Sequence, residues 1–354
     1  LSAPLSITGL GCLSRLGDGI VDHRHALARP PAPFRRLGEA EGAPVGFEAL
    51  PAGWIEPRGM LGHRKWSPSS MAALHVARQA VMQAGWTERE RADAVVFLGT
   101  SRGSMAGWTE PWPRRRAFGR MAASNSLTAE PAAALGAELG IGGPWQVLSS
   151  GCCAGLDALG MASLWLRSGL AQHALAVAVD LPLVAPVLDS YRRTGLLATA
   201  EQPGMVPAEG AAALCLETRH DAASPALLDY RSTAEPGDLL GAAASPALGN
   251  LLRELALVHP PDAIVPHASG TPALAEREPA SVRAALGPDL PQHPLKPWTG
   301  HTIGASGLLE TVLAVDCLRE RRPLPGSARP PSLLCKIASA LGGKHSIVVL
   351  RSPS

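Results

Sequence analysis

Lysine is scarce in this chain of 354 residues: Lys65, Lys296, Lys336 and Lys344 are all there is, against 28 arginines. A GC-rich genome produces such a bias, together with abundant Ala, Gly and Pro. Arginine therefore says nothing here about phosphate recognition, and each lysine that survives the bias is the more informative residue. Charge of one sign is missing as well. The 32 basic and 30 acidic residues leave a formal charge of +2, without the basic excess of a nucleic-acid binder or the composition of a disordered chain. Aromatic residues make up 4%, and there is no phenylalanine beyond Phe118. The six cysteines, Cys12, Cys152, Cys153, Cys215, Cys317 and Cys335, form no CxxC pair, so neither a structural zinc nor a redox dithiol is suggested. A core of this size needs no disulfide. Long apolar runs are absent: the longest uncharged stretch, Leu139 to Leu156, is broken by glycines, a proline and serines and does not read as a membrane span. Leu1 to Leu16 lacks the charged leader and apolar stretch of a signal peptide. The expected location is the cytoplasm, with no membrane and no nucleic-acid partner.

What is present is a core-forming composition, 46% hydrophobic and 18% charged, which suits a soluble globular protein. Strand and helix patterns alternate. Leu5 to Gly11 reads as a strand meeting a glycine turn, and Arg29 to Gly62 as an irregular stretch anchored by Phe47 and Trp54. A helix is predicted over Ser67 to Gly85, with Ser67 and Pro68 as cap and start. Continuously apolar strands follow at Ala94 to Gly99, Ala174 to Val179 and Ala211 to Glu217. Further strands are predicted near Trp145 to Ser149, Ala226 to Ser232, Ala263 to Pro266 and Ile347 to Leu350. Helices are predicted near Ala129 to Leu139, Cys152 to Ser168, Leu239 to Leu257, Pro272 to Leu286 and Gly304 to Arg319. The rhythm implies an α/β architecture with a largely parallel sheet in each of two halves, residues 1–218 and 219–354. Arg322 to Pro331 reads as a surface loop.

One turn carries reactive chemistry. In Ser149-Ser-Gly-Cys152 a strand ends, small residues turn, and a helix begins at the thiol. A helix N-terminus favours a thiolate and can draw its pKa from about 8.5 down to roughly 3.5–7.5. The same free N–H groups can receive an oxyanion. A buried structural cysteine is the other reading of this position. His267 follows a strand within Val265-Pro-His267-Ala-Ser269-Gly-Thr271-Pro. His301 stands at a loop-to-helix junction within Lys296-Pro-Trp-Thr-Gly-His301-Thr-Ile-Gly-Ala-Ser-Gly307. The other histidines read as surface or satisfied core residues, with His345 left open.

Taken in order, a cysteine at a helix start, His-x-x-x-Thr-Pro, and Lys-x-x-x-Gly-His-x-x-Gly-Ala-x-Gly resemble the β-ketoacyl-acyl-carrier-protein synthases of the thiolase superfamily. Ile7 to Gly11, Arg64-Lys65-Trp66, Ala208 to Ala212 and Leu341 to Leu350 resemble further family segments, so the likeness runs over nearly the whole chain. It implies a thiolase-like fold of two similar halves in five α-β-α-β-α layers. By resemblance Cys152 is the nucleophile that takes an acyl group as a thioester. His267 and His301 bind the malonyl thioester carbonyl and promote loss of carbon dioxide. Lys296 tunes the histidines, with Glu278 as its ionic partner. Backbone N–H groups of Cys152 and Ser339 form the oxyanion hole. Ser269 and Thr271 hold the pantetheine arm (ordinary turn formation being their other reading), and Gly342 and Gly343 belong to the substrate-binding glycine loop. Cys153 reads as packing. No metal and no tightly bound cofactor is implied, because the phosphopantetheine arrives on an acyl carrier protein.

Several positions depart from the family pattern. Its closing loop carries Gly-Phe-Gly-Gly with a gating Phe just before it, where this chain has Ser339-Ala-Leu-Gly-Gly343. Ala268 replaces a Gly, Ala275 replaces a common Asp, and the stretch before Glu209 is short. The resemblance thus implies either a compact condensing enzyme of fatty acid, polyketide or polyene-type biosynthesis, or a partner subunit of a ketosynthase heterodimer resembling a chain-length factor. Partner subunits usually lose the cysteine, and retention of Cys152, His267, Lys296 and His301 favours the enzyme. A thiolase would need a second cysteine motif that Cys335 lacks, and a starter enzyme a Cys-His-Asn set. Dimerisation is expected through an edge strand near Ala174 to Asp180, as a homodimer or with another ketosynthase-like subunit. Arg114 to Arg116 and Arg319 to Arg322 could steer an acidic carrier, although a solvated face explains each more simply.

Overall fold

The computed structural model describes residues 3–105, 124, 126–199, 202–236 and 246–354. Nine strands form one long path. In chain order they are β1 (Leu5–Ser14), β5 (Val95–Gly99), β6 (Trp145–Leu148), β7 (His173–Asp180), β8 (Gly210–Glu217), β9 (Ala226–Ala234), β10 (Ala263–Val265), β11 (Leu333–Ala340) and β12 (Lys344–Arg351). Two-residue strands β2 (Gly17–Asp18), β3 (Arg35–Arg36) and β4 (Pro51–Ala52) lie off that path. The spatial order is β10-β11-β12-β9-β1-β8-β7-β5-β6. Its two halves meet where Leu5 and Ser6 of β1 pair with Leu227 and Ala226 of β9.

The helices are α1 (Gly19–Leu27), α2 (Pro68–Ala84), α3 (Glu88–Asp93), α4 (Glu130–Leu139), α5 (Ala154–Arg167), α6 (Ala185–Arg193), α7 (Pro246–Ala256), α8 (Pro272–Leu286), α9 (Lys296–Thr299) and α10 (Ser306–Arg319). Three hydrophobic clusters define five layers. Residues of α5 and α10, such as Leu156, Leu159, Leu308 and Val312, share one core with Phe97, Leu214, Leu334 and Val348 from both half-sheets. The far side of the first half-sheet packs on α2 and α4 through Val76, Ala80 and Leu135. The far side of the second packs on α7 and α8 through Leu252 and Val282. The α-β-α-β-α expectation holds.

Local signals explain the elements. The Ser67 hydroxyl accepts the Ser70 N–H at the start of α2, and Gly85 closes that helix in the left-handed region with φ 68°, where glycine carries no Cβ penalty. Phe47 and Trp54 pack in a satellite cluster with Leu37 and Leu188, which orders the Pro-rich stretch. Two expectations need correcting. The sheet is mixed, not largely parallel: only β5–β6, β5–β7 and β10–β11 run parallel, while β1–β8, β7–β8, β11–β12, β9–β12 and β1–β9 are antiparallel. And β7, the expected dimer edge, lies between β5 and β8, because its apolar run is buried by neighbours on both sides; the outer position belongs to β6. The Arg114 run and the beginning of the expected Leu239 helix fall outside the described residues. The Arg319 to Arg322 cluster is spent within the chain: Arg319 donates to the Ile7 carbonyl at 2.9 Å and Arg322 to Asp316.

Gly9 and Gly11 do not end β1 as a turn would. A Cβ on Gly9 would lie 2.0 Å from the Ala80 carbonyl oxygen, and one on Gly11 the same distance from that of Val76. These glycines let helix α2 lie directly on the strand. Gly9→Ala is therefore expected to destabilise the chain by about 1–3 kcal/mol through overpacking, read as a lower urea midpoint at unchanged m-value.

Candidate active site

Burial of the middle layer brings the separated motifs together. Cys152 lies in a one-turn 3-10 segment, Gly151–Cys153, feeding α5. A Cβ on Gly99 would collide with the Ala154 carbonyl oxygen at 2.3 Å, so glycine at the end of β5 lets this turn sit against the sheet. His267 follows β10 and His301 follows α9. The Cys152 sulfur and one ring nitrogen from each histidine all lie within 4.8 Å of one another, and the two rings meet edge to face at 5.2 Å between centroids. The thiol and both rings expected from the sequence thus share one pocket.

The geometry of His301 assigns its proton. Its Nδ1 accepts the Ile303 N–H at 3.1 Å and stands 2.9 Å from the Ser306 hydroxyl. An acceptor at Nδ1 leaves Nε2 as the donor in the neutral ring. Burial lowers the pKa of both histidines well below the usual value, and the Lys296 ammonium lowers it further in each; for His267 the neighbouring His301 and Lys336 act in the same sense. Both rings are neutral at physiological pH.

The backbone around them is held in strained conformations. Ala268 has φ 45° and Ile303 φ 48°, a region that favours glycine and costs a β-branched residue most. Anchored amides maintain both. Glu278 on α8 accepts the N–H groups of His267 at 2.6 Å and Ala268 at 2.7 Å, and the Ile303 amide is the one bound to His301. Buried Asp180, at the end of β7, accepts the amides of Ser101 (2.9 Å), Arg102 (2.8 Å) and Gly304 (2.7 Å) and the Thr100 hydroxyl (3.0 Å). Desolvation nevertheless pushes this carboxyl up to about 6.

Two expectations for individual residues fail here. Glu278 is not the ion-pair partner of Lys296: the Lys296 ammonium binds Glu310 Oε1 at 2.7 Å and the His267 carbonyl, because Glu278 is turned to the loop amides. The Cys152 thiol is not drawn down. Desolvation raises it to about 11, against lowering by Lys296 and Arg102, while Asp180 raises it further. Apolar Leu197, Met205 and Ile303 pack against Cys152, and this desolvation outweighs the dipole of the helix that follows. The free protein therefore holds a thiol, not a thiolate. Cys153 is buried in the central core, in agreement with a packing role.

Ser269 and Thr271 join hydroxyl to hydroxyl at 2.9 Å, and the Thr271 N–H reaches Ser269 Oγ at 3.3 Å, which is the turn-forming reading. Ser339 sits near the end of β11, its hydroxyl 2.8 Å from His345 Nδ1. The adjoining Ala340 lies against the nucleophile turn, 3.4 Å from where a Gly151 Cβ would be. Gly342 and Gly343, with φ 83° and 64°, make the β11–β12 turn, and Leu341 beside them is 64% exposed. Three buried residues of the site were missed: Asp180, Glu310 and Lys336. The rarity of lysine was the one available signal, for Lys336. The Cys152–His267–His301 group is also the one cluster with metal-ligand spacing among the described residues, but ammonium groups behind the rings oppose a cation there.

Comparison with known proteins agrees with this arrangement. The model of the β-ketoacyl synthase N-terminal domain matches residues 55–222 and that of the C-terminal domain residues 241–327. The chain belongs to the β-ketoacyl synthase family. It is 29% identical over 273 residues to the "Putative polyketide beta-ketoacyl synthase 1" of Streptomyces virginiae, covering 64% of each chain; the chain thus spans slightly under two thirds of that relative. Among solved structures it resembles the ishigamide ketosynthase/chain length factor, with TM-score 0.85 at 19% identity over the whole of both chains. It also resembles AntDE:AntF, a type II PKS acyl-carrier protein in complex with its ketosynthase bound to the hexaketide, with TM-score 0.83 at 21% identity and full coverage of both chains.

Two outcomes are expected of this synthase-family site. Iodoacetamide should alkylate Cys152 slowly near pH 7, with a rate rising roughly tenfold per pH unit up to about pH 10, followed by mass spectrometry. Stability should also fall in acid. The unfolded chain protonates each histidine near 6.5 whereas the folded chain keeps His267 and His301 neutral. Below that pH the unfolded state binds more protons, so stability present above about 6.5 is lost as pH falls, by roughly 1.4 kcal/mol per pH unit for one ring. His301→Asn should reduce the slope of urea-unfolding free energy between about pH 5 and 6 by close to one proton.

Proposed function

We propose that the chain is a condensing enzyme that joins an acyl group, held on Cys152, to a malonyl unit carried by an acyl carrier protein. The observation that carries this reading is the convergence of the Cys152 sulfur and the two imidazoles within 4.8 Å. In the first step the Cys152 sulfur bonds to the acyl carbonyl carbon, the bond to the carrier sulfur breaks, and the thiol proton leaves with the carrier thiol. With a thiol raised to about 11, deprotonation accompanies acyl arrival instead of preceding it. In the second step the bond between the malonyl C2 and its carboxylate breaks and carbon dioxide departs. The electron pair passes to the thioester oxygen as an enolate, which neutral imidazole N–H groups stabilise. The enolate carbon then attacks the Cys152 thioester, the C–S bond breaks with the sulfur leaving as a thiolate that takes a proton from water, and the product is a β-ketoacyl thioester two carbons longer.

Backbone N–H groups of Cys152 and Ser339 receive the tetrahedral oxyanion in this reading; contact between Ala340 and Gly151 supports it by bringing the end of β11 to the nucleophile. Ser269 and Thr271 border the pantetheine path, and no bound cofactor is needed because the carrier supplies that arm. A second subunit, identical or ketosynthase-like, would pair at the outer edge of β6, where Trp145 is 43% exposed, in place of β7. The second reading is a partner subunit of a ketosynthase heterodimer. The gate position favours it, since a small Ser339, its hydroxyl turned to His345, cannot close a channel as an aromatic does, and the ishigamide structure pairs a ketosynthase with a chain length factor.

Incubation with an acyl-loaded acyl carrier protein separates the two. Intact-protein mass spectrometry is expected to show one acyl adduct on the wild type and none on Cys152→Ala. A folded wild type that stays unmodified would establish the partner reading instead.

A further inference from the structure

Lys336 takes no part in the family pattern described above. It lies on β11, whose side chains at this register point into the space behind the histidines, and it is 0% exposed. Its ammonium is enclosed by oxygen: the Pro266 carbonyl at 3.0 Å, the Ile337 carbonyl at 2.8 Å and Glu310 Oε2 at 2.5 Å. The other oxygen of Glu310 binds Lys296 at 2.7 Å, and Lys296 donates to the His267 carbonyl. Two successive carbonyls, those of Pro266 and His267, are thus each gripped by a different lysine, and one carboxylate bridges the two. The next two amides along, those of His267 and Ala268, are gripped by Glu278.

We propose that Lys336 is a positioning residue of the condensing site: tied to the Pro266 carbonyl and coupled through Glu310 to Lys296, it fixes the peptide that carries His267. Its first effect is geometric. The carbonyl before His267 has no freedom to rotate, so the ring keeps its place 5.2 Å from His301 despite the strained Ala268 that follows. Its second effect is electrostatic. The charged groups facing the pocket from behind are Lys336 on β11, Lys296 on α9, Glu310 on α10 and Glu278 on α8, two of each sign. The other titratable side chains facing the rings are Cys152, within 4.8 Å of both, and His345, which acts on His267. Removing the Lys336 charge leaves a net negative field that invites protons onto the imidazoles, and a protonated ring has lost the neutral state in which the site holds it.

This inference rests on the reading of Cys152, His267 and His301 as the condensing site, so its test has two independent readouts on the full-length protein. The first is release of carbon dioxide from malonyl-loaded acyl carrier protein. The second is NMR titration of ¹³C-labelled histidine rings, assigned with His267→Asn and His301→Asn. Lys336→Met is expected to lower the kcat of decarboxylation at least tenfold with little change in KM, since a fully buried Lys336 cannot touch the carrier. It is also expected to raise the protonated fraction of one or both rings at about pH 5.5 by at least tenfold. The double variant Lys336→Met with Glu310→Gln restores charge balance without the grip. It should return the titration towards that of the wild type while decarboxylation stays slow, and it covers the case in which the single variant does not fold. A folded Lys336→Met, or the double variant, releasing carbon dioxide within twofold of the wild type would overturn the proposal, as would ring titration unchanged in the single variant. If the wild type itself releases no carbon dioxide, the condensing reading fails, while the ring titration still decides the role of Lys336.

Discussion

One shared carboxylate organises the centre of this protein. Glu310 is fully buried and binds Lys296 with one oxygen and Lys336 with the other. Burying three charges is costly unless each is paired and its remaining hydrogen bonds are filled. Here the ammonium protons left over find the carbonyls of Pro266, His267 and Ile337. Losing a partner from such a cluster leaves an uncompensated buried charge, at a cost of about 3–5 kcal/mol. The cluster is therefore a fixed point of the fold, and it touches the chain at the residue before His267, at His267 itself, and on the helix that follows His301.

From that fixed point the properties of the pocket follow. Positive charge behind the rings, added to desolvation, holds both imidazoles neutral. The same ammonium of Lys296 acts to lower the Cys152 thiol, yet burial and Asp180 outweigh it. The site is thus tuned for hydrogen-bond donation more than for a resting thiolate. Strain at Ala268 and Ile303 is local, and it is tolerated because Glu278 and the His301 ring hold the neighbouring amides in place. Asp180 joins the ends of β5 and β7 to the turn after His301, so the first half-sheet braces a loop from the second half of the chain.

Much of the fold was legible because its signals are local. Ser67 and Gly85 bracket α2 as cap residues do, and the short apolar runs of β5, β7 and β8 suit buried strands. Strand β11 was missed because Cys335-Lys336 interrupts its apolar run with a charge, and nothing nearby in the sequence tells that Glu310 neutralises it. Gly9 and Gly11 were misread as a turn because a glycine that makes room for a helix looks the same in sequence as one that bends the chain. The parallel sheet was overestimated for a related reason: apolar runs report burial on both faces, and antiparallel strands in the middle of a layered fold are buried on both faces too.

The sequence by itself determined which side chains are the candidates for chemistry. Cys152, His267, Lys296 and His301 stand at strand-to-helix and loop-to-helix junctions whose spacing along the chain is as informative as their identity, and turn and cap chemistry acts over a few residues. Only the tertiary structure decided how those groups ionise and which carboxylate serves which partner. Glu278 and Glu310 are equal candidates in the sequence. Which one meets an ammonium, and whether the thiol loses its proton, depends on distance and desolvation, and those are set by residues hundreds of positions away packing around the same small volume.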